Sequence, residues 1–267
     1  NGKDGWAASG PVFGVQLGTQ PFEGQERLAP VVTTEHELIV DSGGPGSSRG
    51  GMGVEKGVTL TKAERSVVSY CCDRERSVTW GLWGGLPSIP HGVWVNPGTQ
   101  DERYLGSLFS GVPVEPGDVL TRPSAGGGGL GDPLERTSEE VCVDVREGYV
   151  SIERAAIDYG VVVREVDADL AEYKVDEAAT TEMRQFISEN RHAWLDEDAE
   201  SVAARYRSKE LNKFDLVRQY GVIVDWGSGE LLPKTTRQFR DMLKRRTAAH
   251  WPIPGQVRNE EPTLRVA

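Results

Sequence analysis

GDVLTRPSAGGGGLGDP, residues 117–133, sets a short run of strand-forming residues against four consecutive glycines and closes on Asp132-Pro133. Val119, Leu120 and Thr121 suit a pleated backbone. Gly126, Gly127, Gly128 and Gly129 carry no Cβ and would each weaken a helix. The segment reads as a strand feeding a loop whose backbone can pass close to another segment or present N–H groups to an anion. The same alternation extends outward through PVFGVQLG (11–18), APVVTTEHELIV (29–40), KGVTLTK (56–62), RSVVSYCC (65–72), RSVTWGLWGG (76–85) and HGVWV (91–95). Short β-branched runs ended by Gly or Pro predict strands joined by turns, not strands alternating with helices.

All but four of the 32 glycines precede residue 161, and none occurs from Val161 to Tyr220. The periodicity changes with the composition. From Asp176, DEAATTEMRQFISENR puts Ala179, Met183, Phe186 and Ile187 at helical spacing, with Asp176 placed to cap. A second helix is expected from near Pro233, with Thr235 and Gln238 at capping-box spacing, Phe239, Met242 and Leu243 on one face, and an end before Pro252. Tyr159-Gly160-Val161-Val162-Val163 recurs as Tyr220-Gly221-Val222-Ile223-Val224, and Thr180-Thr181 recurs at a somewhat shorter offset as Thr235-Thr236. Each copy reads as strand, acidic loop and helix, giving two similar packing units whose loops differ in length. The expected fold class is α+β: a β-rich, Gly-punctuated part over 1–150, a strand-loop-helix repeat region over 151–250 and an extended tail over 251–267.

Lys and Arg total 30 against 41 Asp and Glu, a net charge of −11, which disfavours nucleic acid and anionic lipid as partners. No apolar run is long enough to span a bilayer, and the first residues lack a cationic, then apolar, leader pattern. The cysteines number three, with Cys71 and Cys72 adjacent, so a disulfide framework is not expected and a reducing cytoplasm is. A start at Asn1 suggests a processed or partly traced chain.

Gly126, Gly128 and Gly131 fit G-x-G-x-x-G, but that fingerprint needs a helix opening directly after it, and Pro133 disfavours helical geometry at Asp132. Gly46-Ser47-Ser48-Arg49-Gly50 fits G-x-S-x-G, yet Gly50, Gly51 and Gly53 oppose the helix that a nucleophile elbow requires. The histidines at 36, 91, 192 and 250 form no short-spaced pair, so no metal site is expected within the chain. His36 reads as an exposed edge-strand residue, and LDEDAE from Leu195 as a solvated loop or first helical turn. Trp80, Trp83 and Trp94 read as core anchors, with a pocket or subunit contact as the alternatives.

DSGGPGSSRGGMGV (41–54), WGLWGGLPSIPHG (80–92) and RPSAGGGGLGDPLERTSEEVCVDVREGYVSIERAAIDYGVVV (122–163) together resemble the hydantoinase B / oxoprolinase family. The resemblance runs in order from about Glu35 to Val163, and more weakly to His250. It implies a C-terminal half of a B-type subunit, with the upstream half, carrying that family's His and Asp metal ligands, absent from this chain. It further implies an enzyme that works only within a complex. ATP and a divalent metal would be bound by a hydantoinase A-type ATP-binding subunit or by the upstream half, with room for a small third subunit.

Such enzymes activate a carbonyl or enolate oxygen by phosphorylation, which demands electrostatic stabilisation of the transferred group and exclusion of stray water. The ending YGVIVDWGSGELLPKTTRQFRDMLKRR favours the ketone carboxylase branch, of acetone or acetophenone carboxylase type. ATP-dependent cyclic amide hydrolysis, of N-methylhydantoinase or 5-oxoprolinase type, is the second expectation, and a non-catalytic assembly subunit the third. The matching strings nominate Asp41, Arg49, Arg122, Gly126, Gly127, Gly128, Gly129 and Asp132 as residues shaping a substrate or interface loop. Arg122-Pro123-Ser124-Ala125 replaces the family's more usual Thr-Pro-Gly before the glycine run. Arg122 could meet a carboxylate or phosphate, or pair with Asp132 or Glu135.

Overall fold

The computed structural model describes residues 3–8, 21–62 and 66–248, with side chains to residue 244. The expected run at 11–18 and the tail at 251–267 lie outside the described residues.

The fold is α+β. Its first part contains helix α1 (Phe22–Leu28), then strands β1 (Val31–Leu38), β2 (Val54–Leu60), β3 (Ser66–Cys71), β4 (Val93–Val95), β5 (Arg103–Gly106), β6 (Leu108–Val114) and β7 (Val119–Thr121). Five of these form an antiparallel sheet in the order β1-β2-β7-β4-β5, and β3 pairs with β6. Leu60, Val93, Val95, Val114 and Leu120 form its core. His36, on edge strand β1, is exposed as expected and stacks on Phe22 at 4.9 Å.

Between the strands run three glycine-rich segments, 41–53, 80–86 and 124–131, that are neither helix nor regular sheet. They are bonded to one another by their backbones. The Gly44 N–H donates to the Gly127 carbonyl at 2.7 Å, Gly127 to Gly51 at 2.7 Å, Gly129 to Leu86 at 3.0 Å, and Leu86 to Pro45 at 2.7 Å. Ser48 and Leu130 exchange hydrogen bonds of 2.9 and 3.0 Å. A Cβ on Gly129 would collide with the Pro45 carbonyl, and one on Gly50 with the Gly127 carbonyl. Glycine is demanded here by close approach of main chains. Residues 3–8 join the same assembly, with Gly5 donating to Arg49 at 2.7 Å and Ala8 to Met52 at 2.9 Å.

The second part holds α2 (Ser138–Arg146), α3 (Ile152–Tyr159), the hairpin β8 (Val163–Asp167) and β9 (Glu172–Val175), α4 (Glu177–Trp194), α5 (Ala199–Arg207) and α6 (Pro233–Ala248). Asp176 caps α4 by accepting the Ala179 N–H at 3.0 Å. Asp198, in the acidic run, caps α5 through the Ser201 N–H at 2.8 Å.

The repeat extends further than its sequence signature. The offset that separates Tyr159 from Tyr220 also separates the first residues of α2 and α5, Ser138 and Ala199, and the left-handed Gly160 (φ 65°) and Gly221 (φ 60°). Thr180 Oγ1 accepts the Val162 N–H at 3.0 Å, and Thr236 Oγ1 accepts the Ile223 N–H at 3.0 Å. Arg184 Nε donates to the Tyr159 carbonyl at 3.3 Å, and Arg240 Nε to the Tyr220 carbonyl at 2.9 Å. Thr236 and Arg240 thus correspond to Thr180 and Arg184, so the Thr-Thr pairs match one position out of step with their sequence alignment. Each unit has its own core, around Val141 and Tyr159 in one and Val202 and Tyr220 in the other. Where they meet, Arg154 pairs with Asp215, the residue at the equivalent position of the second unit.

Arg218, 4% exposed, lies in a π-helical turn (Asp215–Gln219) and joins the two parts. Its guanidinium donates to the carbonyls of Asp41 (2.7 Å), Gly43 (3.0 Å) and Pro87 (3.0 Å), and to Asp158 at 2.7 Å. Buried Asp144 of α2 likewise takes Arg49 at 3.3 Å and Arg136 at 2.9 Å, and Arg136 also grips Asp4.

Several expectations are corrected. Residues 76–85 form no regular strand, because their glycines serve the interlock: Gly81 and Gly85 both face carbonyls at close range. Trp80 is 47% exposed and Trp83 and Trp94 are half-buried, so none is a core anchor. Thr235 lies inside α6, which opens at Pro233, and is no cap. Helices α1, α2, α3 and α5 and strands β5, β6 and β9 add to the elements that the sequence pattern predicts, and the strand expected over 222–224 is reduced to an isolated bridge between Val224 and Leu231.

Gly129→Ala is expected to cost more than about 4 kcal/mol or to abolish soluble expression, since a backbone carbonyl must move to admit the methyl. Gly24→Ala, in α1 with open space around it, is expected to change stability by about 1 kcal/mol or less, in the stabilising direction. Urea denaturation of both variants checks this pair.

Candidate functional site

The residues nominated from sequence divide into scaffold and site. Asp41, at φ 65°, accepts the Ser151 N–H at 2.7 Å and so ties the first glycine segment to the start of α3. Arg49 is buried against Asp144, with its guanidinium 4.7 Å from the Tyr149 ring centroid. Gly126, Gly127, Gly128 and Gly129 lie within the interlock. Asp132 caps a 3-10 turn (Pro133–Glu135) through the Leu134 N–H at 3.0 Å and pairs with Arg191 at 2.7 Å. That pair borders a cavity of about 70 Å³, lined also by Leu134, Ile187 and Trp194. Arg122 pairs with neither Asp132 nor Glu135; among the described residues no carboxylate reaches it at ion-pair distance.

Arg122 belongs to a different constellation, at the end of the central sheet. It follows β7, and its N–H donates to the Lys56 carbonyl of β2 at 2.9 Å. Its exposed guanidinium stands 5.7 Å from the ring of Tyr70 on β3. Two residues beyond Tyr70, the half-buried Cys72 places Sγ 3.7 Å from Nε2 of His91, which lies just before β4. In the central sheet Thr121, at the end of β7, lies opposite Gly57 of β2 and Trp94 of β4, while Tyr70 and, just beyond it, Cys72 come from the separate β3–β6 pair.

The electrostatics are local and basic in an acidic chain. His91 is 6% exposed. Burial lowers its pKa, the Asp73 backbone opposes the shift, and the charges of Arg122 and Lys213 reinforce it. The imidazole is therefore neutral near pH 7. Burial, then Cys72, pushes Tyr70 up to about 12, so it remains a phenol. Lys56 and Lys213 are both lowered by burial, Lys56 further by Arg122, while Glu55 opposes the shift at Lys213. Glu55 is itself raised, first by burial and then by Glu35. The cluster offers a forked cationic donor, a thiol and a neutral imidazole that can accept a proton. Sequence inspection names Arg122 but misses Cys72 and His91, because three separate strand ends carry them.

With this geometry in view, comparison with known proteins is informative. The family model described as Hydantoinase B/oxoprolinase matches residues 1–133, which places this part of the chain in that family. The caprolactamase subunit beta of Pseudomonas jessenii is 33% identical over 184 residues, 66% of this chain and 30% of that protein. The acetone carboxylase alpha subunit of Xanthobacter autotrophicus is 27% identical over 242 residues, 76% of this chain and 31% of that protein. This chain therefore corresponds to about a third of the length of these relatives.

Among solved structures, nucleotide-free acetone carboxylase superposes with a TM-score of 0.61 at 23% identity, over 91% of this chain and 35% of that one, and so shares the fold. The crystal structure of the ATP-dependent caprolactamase from Pseudomonas jessenii gives a TM-score of 0.52 at 30% identity, over 62% of this chain and 28% of that one. Among the described residues no helix is long and apolar enough to cross a membrane.

The His91 shift sets a pH dependence. Its folded pKa lies below the unfolded value of about 6.5, so the unfolded state binds the proton first, and stability falls as pH drops from that value through the folded pKa. Urea midpoints measured between pH 7.5 and 5 are expected to fall more steeply for the native chain than for His91→Gln.

Proposed function

We propose that this chain is the C-terminal portion of a subunit of an ATP-dependent ketone carboxylase. The observation that carries the proposal is extent: the acetone carboxylase likeness covers 76% of the chain in sequence and 91% in structure, too much to be confined to the glycine-rich part. The fold resemblance implies that the repeat units belong to the same architecture. ATP-dependent opening of a cyclic amide is the second reading, and the higher identity to caprolactamase subunit beta favours it.

In either reading the energetic requirement is alike. A carbonyl or enolate oxygen becomes reactive once phosphorylated, and the surrounding chamber must stabilise anionic groups while excluding water. Arg122, with Lys56 and Lys213 nearby, supplies positive charge for such a chamber. The described residues bring no three His, Cys, Asp or Glu side chains together as metal ligands, and the glycine run opens no helix that could cradle a nucleotide. On the family resemblance, ATP and a divalent metal are assigned to a companion ATP-binding subunit or to the upstream part of the protein. A third chain is compatible with the proposal, and a cytoplasmic setting follows from it.

The test uses the complete complex, full-length subunit and companions together. ATP turnover with a small aliphatic ketone is expected to require bicarbonate, and the isolated chain to be inactive. Ring opening of a lactam or hydantoin without bicarbonate would transfer the assignment to the hydrolase reading. Undiminished turnover in an intact Arg122→Ala complex would instead favour a purely assembling role.

A further inference from the structure

We propose that Arg122, His91 and Cys72 form a binding site for a small oxyanion, a phosphate or a bicarbonate-like carboxylate group. The site would exist whether the complex carboxylates ketones or opens lactams, and its test needs no turnover.

Three observations converge. Arg122 presents an exposed guanidinium whose nearest charge-compensating group is the face of Tyr70, so its forked donors have no carboxylate acceptor among the described residues. A guanidinium in this condition matches the paired oxygens of phosphate or carboxylate. His91 is a buried imidazole whose Nε2 lies 3.7 Å from the Cys72 sulfur, and the pair stands within electrostatic range of Arg122 and Tyr70.

The acidic groups nearby do not fill the role. Glu75 is engaged by the Ser107 N–H at 3.2 Å and its hydroxyl at 3.0 Å, and Glu55 faces Lys213 beyond ion-pair distance. Lys56 donates to Gln25 at 2.6 Å and adds a second positive charge beside Arg122. A small oxyanion bridging Arg122 and the Cys72–His91 pair would satisfy the guanidinium and cover the thiol.

Cys72 supplies the readout. The full chain is alkylated with iodoacetamide, a neutral reagent, and the modification of Cys72 and Cys142 is followed by peptide mass spectrometry. Inorganic phosphate, bicarbonate and chloride are compared at equal ionic strength. At about ten times its Kd, the fitting anion is expected to slow Cys72 alkylation about tenfold by mass action and to leave Cys142 unchanged. Protection by phosphate alone would assign a phosphoryl group, and by bicarbonate alone a carboxylate. Arg122→Gln should abolish the protection, and Arg122→Lys should retain part of it. Arg122 is exposed, so both variants are expected to fold, which circular dichroism verifies. A Cys72 rate that neither phosphate nor bicarbonate moves in the native chain overturns the proposal, as does full protection in Arg122→Gln.

Discussion

Three glycine-rich backbones, bonded directly to one another, are the constraint from which the rest of this structure follows. Where Gly44 meets Leu86 and Gly129 meets Pro45, the main chains lie too close for any Cβ, and the N–H and C=O groups that a sheet would pair are paired here across segments far apart in sequence. A typical hydrogen bond contributes only about 1 kcal/mol net, but a buried main-chain group left unpaired costs more, so the arrangement is held as a unit. Its assembly explains why the chain spends so many glycines before residue 161 and almost none afterward.

The helical part is fastened to this unit by charge. Arg218 offers its guanidinium to three carbonyls in and beside the glycine segments and to Asp158 of α3, while Asp144 of α2 takes Arg49 and Arg136. Breaking such a buried pair from one side leaves an uncompensated charge, which costs about 3–5 kcal/mol. Lys213 lies shortly before Arg218 in sequence, so the element that clamps the scaffold also delivers a cation to the basic cluster at the end of the sheet. The site and the clamp are thereby coupled through one turn of chain.

Much of the fold is legible where local chemistry decides it. β1, β2, β3, β4 and β7 coincide with β-branched runs, and Asp176 announces α4 by capping it. The duplicated Tyr-Gly turns announce two units, although the Thr236 correspondence requires coordinates. What stays hidden is set by long-range partners. Residues 76–85 look like a turn-bounded strand, yet the carbonyls and amides of their second half are claimed by Gly129, Leu130 and Gly131. The nominated Asp41, Arg49 and glycines are special in sequence and lie in or against the interlock. Arg122 alone among the nominated residues stands in the basic cluster. Cys72 and His91, far apart in sequence, carry no motif that sequence reading could detect.

Amide hydrogen exchange within the interlock tests this account most directly. If the three segments form one bonded unit, the amides of Gly44, Gly127, Gly129 and Leu130 will exchange as slowly as those of β2 and β7, despite belonging to no regular element. Exchange of these amides at the rate of ordinary exposed loops, with the sheet still protected, would contradict it.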